Sequence, residues 1–214
     1  MNVSVVLPSF NRARLLPITI PTYFQEDVSE VILVDDCSSD NTAEVVKELQ
    51  TRFPTLRYFR NEVNSKQPYT QNVAISKVQS EYIYFGDDDS VLYPGSIRNL
   101  LNVMREKNAD IVGGRALALF FPEQIDELDE FLSHYRNRIA TEANQIVDLS
   151  TLSTNFTYTV KEPIRVPFCH ASCLCKTQVA REMQFDVKIE GNAYREETDF
   201  LIRATLAGYT IYYT

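Results

Sequence analysis

The sequence predicts an α/β fold, a mostly parallel sheet flanked by helices. Two observations carry the prediction. Largely apolar runs recur at residues 3–7, 31–34, 56–59, 82–85 and 110–114, separated by helix-length spacers; strands apolar on both faces belong to parallel sheets covered on both sides. Polar and acidic residues also gather directly after several of these runs, and in such sheets ligands bind beyond the carboxyl ends of the strands.

The first run is rich in β-branched residues and closes at Pro8. The turn Pro8-Ser9-Phe10-Asn11-Arg12 leads into a helical stretch that Pro17 and Pro21 must start late or kink. The second strand runs into Asp35-Asp36-Cys37-Ser38-Ser39-Asp40, with Asp40 placed to cap a helix carrying Ala43, Val46 and Leu49. After the third strand, residues 69–79 read as a helix with Val73, Ala74 and Val78 inward. The fourth strand ends in Gly86-Asp87-Asp88-Asp89. Pro94-Gly95-Ser96 opens a helix through Lys107, and the fifth strand follows.

Beyond residue 115 the alternation stops. Residues 122–139 read as an amphipathic helix, with Ile125, Leu128, Leu132 and Tyr135 on one stripe and Glu123, Asp126, Glu127, Asp129 and Glu130 on a solvated side. Residues 145–168 are polar and Thr-rich, as in loops and edge strands. Residues 169–175 are strand-like, helical spacing returns at 195–207, and a last strand covers 209–213. The expected organisation is one domain in two halves, residues 1–115 and 116–214.

Composition narrows the function classes. A chain of 214 residues with 44% hydrophobic and 23% charged residues buries a proper core. A net charge of −8 argues against nonspecific nucleic-acid binding and against electrostatic docking on anionic membranes. No apolar run reaches the roughly 18 residues that span a bilayer, and the N-terminal residues lack a secretory pattern. The expected location is cytoplasmic, with peripheral association at the cytoplasmic face of a membrane as a variant. Cys169, His170, Cys173 and Cys175 lie close together, but their spacing matches no zinc motif. Reduced thiols, two of them packed on one strand face, are the simpler reading.

The acidic run after the fourth strand carries the chemistry. Asp87 and Asp89 are two apart and can converge on one hard cation, which can in turn hold a diphosphate. An acidic solvated turn is the alternative. With Asp35 and Asp36, the run brings five carboxylates to one rim of the sheet; such repulsion makes sense where a cation and a hydrogen-bonding ligand sit.

These residues resemble family 2 glycosyltransferases, which have the GT-A fold. The likeness rests on Val5-Val6-Leu7-Pro8-Ser9-Phe10-Asn11-Arg12, on Ile32-Leu33-Val34-Asp35-Asp36, on Asp87-Asp88-Asp89, and on Arg195-Glu196-Glu197-Thr198-Asp199-Phe200 with Arg203 after it. The resemblance implies a Rossmann-like nucleotide-binding half and an acceptor-side half. It implies a nucleotide-diphosphate sugar donor, most often a UDP-sugar, with Mn2+ or Mg2+ as cofactor. The acceptor would be a glycan, a lipid-linked molecule or a protein. Pro8, Ser9, Asn11, Arg12, Asp35, Asp36, Lys66, Asn72, Asp87 and Asp88 would form the donor site, with Asp36 on the base and Asp87 near the ribose or sugar. Asp89, with Asp87, would hold the metal. Glu197 would be the general base of an inverting transfer, with Glu196 and then Asp199 as substitutes.

The chain departs from the family pattern in three places. Glu197 stands where the family usually has aspartate. Lys66 replaces a glycine and Gln71 an arginine before the third motif. No histidine follows His170, although the family often carries a late one on the metal; the resemblance therefore implies a further C-terminal piece beyond Thr214. His170 itself is expected to be packed or hydrogen-bonded, and Phe156, Tyr158 and Phe168 to pack or to stack on sugar rings. Three rival readings remain: a sugar nucleotidyltransferase, which would need a Gly-rich phosphate loop after the first strand; a receiver domain, which would be shorter; and a noncatalytic nucleotide- or glycan-binding member of the same family.

Overall fold

A computed structural model of the chain describes residues 3–118, 128–135, 137–151, 153–189 and 195–214. Strands β1 (Val3–Ser9), β2 (Val28–Asp35), β3 (Leu56–Arg60), β4 (Tyr82–Phe85) and β5 (Ile111–Gly113) alternate with helices α1 (Leu16–Thr19), α2 (Thr42–Arg52), α3 (Lys66–Lys77) and α4 (Ser96–Glu106). A short helix α5 (Leu128–Ser133) precedes five short strands: β6 (Ile139–Ala140), β7 (Val147–Asp148), β8 (Ser153–Thr154), β9 (Thr159–Val160) and β10 (Ile164–Arg165). Then come β11 (Cys173–Lys176), α6 (Thr177–Met183), α7 (Glu196–Leu206) and β12 (Ile211–Tyr213).

Eight strands form one sheet in the order β10-β12-β5-β11-β4-β1-β2-β3. β1 pairs in parallel with both β2 and β4, whereas β11 lies antiparallel between β4 and β5 and β10 lies antiparallel on β12. The sheet is mixed because β11 and α6 return after the irregular stretch rather than by a βαβ crossover. Alternate side chains feed two cores. Val6, Ile32, Val34, Ile83, Phe85, Cys173 and Cys175 face α3, α6 and α7 with Ala74, Ala180 and Phe200. Val5, Leu7, Val31, Leu33, Tyr84 and Leu174 face the other way, against Leu16, Tyr23, Val46, Ile97 and Leu101. The period-2 pattern of each strand thus meets a helical layer on either side.

Several sequence expectations shift. β1 runs through Pro8 to Ser9; beyond Val6 it has lost β4 and pairs with β2 alone, where a residue without an N–H is tolerated. Pro17 and Pro21 break the stretch after β1 into one turn of α-helix and a 3-10 turn. α3 starts at Lys66 rather than 69, because Pro68 falls in the first turn, where no N–H is needed. Asn41, not Asp40, occupies the cap position of α2. Asp40 instead accepts from the Thr42 N–H at 3.1 Å and hydroxyl at 2.6 Å, and from the Ala13 N–H at 3.0 Å. The helix expected over 122–139 is replaced at its end by β6, with Ile139 exposed; Glu123, Ile125, Asp126 and Glu127 lie outside the described residues.

Candidate active site

Chain order reverses about β1, which has β2 on one side and β4 on the other. At that switch point, beyond the carboxyl ends of the strands, a cleft of about 300 Å³ opens. Pro8, Ser9, Phe10 and Arg12 line it from the β1 loop, Asp36 from β2, Asp88 from β4, and Lys66 and Thr70 from α3.

Asp35 and Asp36 diverge at the end of β2. The Asp35 side chain is wholly buried and faces inward. It accepts from the Tyr58 hydroxyl at 2.6 Å, Arg60 Nη1 at 2.9 Å and the Ser38 N–H at 2.8 Å. Every one of these partners is internal, so Asp35 braces the turn and leaves the cleft to its neighbour. Asp36 Oδ1 accepts from Asn61 and the Ser65 N–H, and Oδ2 from the Lys66 N–H, each at 2.8 Å. These bonds fix Asp36 against the start of α3. A carboxylate has about four acceptor positions, so Asp36 retains one for a donor in the cleft.

Asn11, at φ 55°, also works as a clamp. Its Oδ1 accepts from the Ser39 N–H at 2.8 Å, and its own N–H donates to Ser38 Oγ at 2.8 Å. Asn72 holds both backbone groups of Phe185, donating at 2.9 Å and accepting at 2.8 Å. Neither Asn11, Asn72 nor Asp35 lines the cleft. The cleft residues that sequence reasoning passed over are Phe10, Asn64, Gln67 and Thr70. Phe10 is 45% exposed, and an aromatic residue in a polar turn directly after a strand was the available signal.

The Asp87–Asp89 segment is held from both sides. Gly86 is required at its base, since a Cβ there would lie 2.7 Å from Leu7 Cδ2 and 2.8 Å from Tyr23 Cε1. The Tyr23 hydroxyl donates to the Asp87 carbonyl at 2.8 Å and accepts from the Asp87 N–H at 3.2 Å, and the Thr19 hydroxyl donates to the Asp88 carbonyl at 3.0 Å. The three carboxylates then part. Asp87 Oδ2 accepts from Ser172 Oγ at 3.0 Å; burial pushes its carboxyl up, opposed by that bond and by His170. Asp88 is pushed up to about 6, first by burial. Ser9 Oγ is buried beside it without a well-formed hydrogen bond. Asp89 is exposed. Arg12 lies across the outer pair, Nε 3.7 Å from Asp88 Oδ1 and Nη2 3.6 Å from Asp89 Oδ2.

The start of α7 lies within electrostatic reach of Asp87, with Glu196 buried and Glu197 half-buried. Burial, and then the charge of Glu197, push Glu196 up to about 8. Glu196 is therefore biased toward its protonated form near neutral pH. Asp199 is tied to Arg203 at 2.7 Å, which also binds the Met183 and Gln184 carbonyls; it is a helix strut. His170 Nδ1 accepts from the Ser172 N–H at 3.1 Å, which leaves the proton of the neutral ring on Nε2. Burial lowers the His170 pKa, against the opposing charges of Asp87 and Glu197. Phe156 packs on His170, Phe168 and Tyr213.

A family model described as glycosyl transferase family 2 matches residues 4–173, and the chain belongs to that family. Among curated relatives, GalNAc(5)-diNAcBac-PP-undecaprenol beta-1,3-glucosyltransferase of Campylobacter jejuni is 33% identical over 114 residues, 52% of this chain and 37% of the relative. Poly(ribitol-phosphate) beta-N-acetylglucosaminyltransferase TarP of Staphylococcus aureus is 32% identical over 121 residues, 53% of this chain and 36% of that protein. The crystal structure of S. aureus TarS 1-349 in complex with UDP-GlcNAc superposes on the whole chain with TM-score 0.68 at 18% identity, this chain covering 58% of it. The mannosyltransferase PcManGT from Pyrobaculum calidifontis, in complex with GDP-Man and Mn2+, matches 99% of the chain at TM-score 0.65 and 16% identity, and 56% of that protein is covered. The fold is thus of the GT-A type, and the chain spans well under two thirds of the length of these proteins. Among the described residues no helix is long and apolar enough to cross a membrane.

Proposed function

We propose that this chain carries the catalytic core of an inverting glycosyltransferase that uses a nucleotide-diphosphate sugar, a UDP-sugar first, and a divalent cation. The observation that carries the reading is that the Asp87–Asp89 segment belongs to the cleft through Asp88 and is coupled electrostatically through Asp87 to a pair of glutamates. The cleft is lined by Asp36, Arg12, Lys66 and Asp88, and Asp87 in the same segment lies within electrostatic reach of the Glu196–Glu197 pair. Relatives solved with UDP-GlcNAc and with GDP-Man and Mn2+ support it.

In this reading the free acceptor position of Asp36 takes an N–H of the base, Phe10 offers the base a ring face, and Arg12 and Lys66 meet the diphosphate. Among the described residues no three acidic, histidine or cysteine side chains form a cation site by themselves. Asp89 and Asp87 would supply hard oxygen ligands of the kind Mg2+ and Mn2+ prefer. The cation, when bound, stabilises the charge that develops on the leaving diphosphate. Glu197 takes the proton from the acceptor hydroxyl as its oxygen bonds to the anomeric carbon and the bond to the diphosphate breaks. Glu196, biased toward its protonated form, competes poorly for that proton near neutral pH. Tyr23, Thr19 and Ser172 hold the Asp87–Asp89 backbone and the Asp87 side chain in place. The acceptor, whether glycan, lipid-linked or protein, approaches over residues 116–214.

The test is nucleotide release from UDP-sugars by wild type, Glu197→Gln and Glu196→Gln. Loss of a base costs about 10²–10⁴-fold in rate, so Glu197→Gln should fall by that much and Glu196→Gln by less than tenfold. Equal losses would remove Glu197 from the role. Nucleotide binding with no turnover of any donor would favour a noncatalytic binding member.

A further inference from the structure

Arg12 is the cation that belongs to both the cleft and the acidic rim of the proposed donor site. It lines the cleft, and it lies across the acidic rim with its guanidinium between Asp88 and Asp89. Both separations, 3.7 and 3.6 Å, are ion contacts rather than hydrogen bonds. The Arg12 side chain is 49% exposed, as is that of Asp89. A pair of this kind is weakly held and easily exchanged. Asp89 therefore faces two competing partners, the Arg12 cation and a divalent ion.

We propose that Arg12 couples donor to cation by changing partners. Bound to Asp88 and Asp89, it neutralises the rim and opposes a divalent ion there. When a nucleoside diphosphate enters the cleft, the guanidinium turns to the phosphate oxygens, for which its planar fork is suited. That move frees Asp89 for the cation and adds phosphate ligands to it. Nucleotide and cation then bind with positive coupling, and by linkage each raises the affinity of the other by the same factor. The inference rests on the donor-site reading above and adds the order in which the site is filled.

Two alternatives to an exchange are open to test. A surface arginine with no part in the site would leave both affinities alone when replaced. A purely attractive phosphate clamp would weaken nucleotide binding and leave cation binding unchanged in the absence of nucleotide. An exchange predicts opposite signs for the two.

The experiment measures Mn2+ binding by electron paramagnetic resonance and UDP binding by calorimetry, on wild type, Arg12→Met and Arg12→Lys. Thermal melting checks that the half-exposed substitution leaves the fold intact. Without nucleotide, Arg12→Met should bind Mn2+ about fivefold tighter, the size of one exposed ion pair. With Mn2+ present, it should bind UDP about tenfold more weakly, the size of one charge-assisted bond. The coupling factor should therefore fall sharply. Arg12→Lys should keep the opposition to Mn2+ while losing part of the UDP affinity. Unchanged or weaker Mn2+ binding by Arg12→Met in the absence of nucleotide overturns the exchange while leaving the donor site standing. Failure of wild type to bind UDP, GDP or dTDP with Mn2+ present overturns the donor site and the exchange together.

Discussion

Replacing Glu196 by glutamine should stabilise the protein, and increasingly so as pH rises. Glu196 is pushed from 4.5 to about 8 on folding. Between those values the unfolded chain has released the proton and the folded chain has kept it, so stability falls as pH rises. Glutamine has no proton to lose. Fully expressed, the gap corresponds to about 5 kcal/mol. Glu196 is buried but neighbours half-exposed Glu197, and solvent screening there reduces this to about 2 kcal/mol. At pH 5 most of the effect has not begun. The Tm difference between Glu196→Gln and wild type should grow from about 1 °C at pH 5 to about 4–8 °C at pH 9, at 2–4 °C per kcal/mol for a chain of this size. Thermal melts read by circular dichroism across that range provide the assay. A difference that is constant, or that shrinks with pH, would refute the assignment of the proton to Glu196.

Two further substitutions separate clamps from ligand groups. Asn72→Ala removes both hydrogen bonds to the Phe185 backbone, so it should cost about 1–3 kcal/mol in denaturant melts while changing the UDP dissociation constant by less than twofold. Gly86→Ala drives a Cβ into Leu7 and Tyr23; it should cost about 2 kcal/mol and, by loosening Tyr23 on Asp87, also weaken UDP binding in calorimetry.

The parallel core was legible because β1, β2 and β4 carry largely apolar runs whose alternate residues enter different cores. The site's position was legible for a related reason: strand ends at a switch point are where polar residues collect. Individual roles were harder to read. Asp35 and Asp36 are neighbours of one residue type, and only Tyr58 and Arg60, more than twenty residues away, decide that one is a brace. Asn72 is claimed by Phe185, 113 residues on. Local pattern cannot report such partners. The same holds for β11, whose antiparallel place between β4 and β5 follows from tertiary packing, and for β6, where the helical stripe of residues 122–139 ran on past the turn. Ser172 carried no sequence signal, yet it binds Asp87 by its hydroxyl and His170 by its N–H.

The measurement that tests the donor site most directly is calorimetric titration of UDP into wild type and Asp89→Ala, each with and without Mn2+. The account predicts UDP binding that strengthens with Mn2+ in wild type, and an Asp89→Ala variant in which Mn2+ no longer helps. Binding equally strengthened by Mn2+ in both proteins would contradict the assignment of the cation to Asp89, and absence of binding in wild type would contradict the donor site itself.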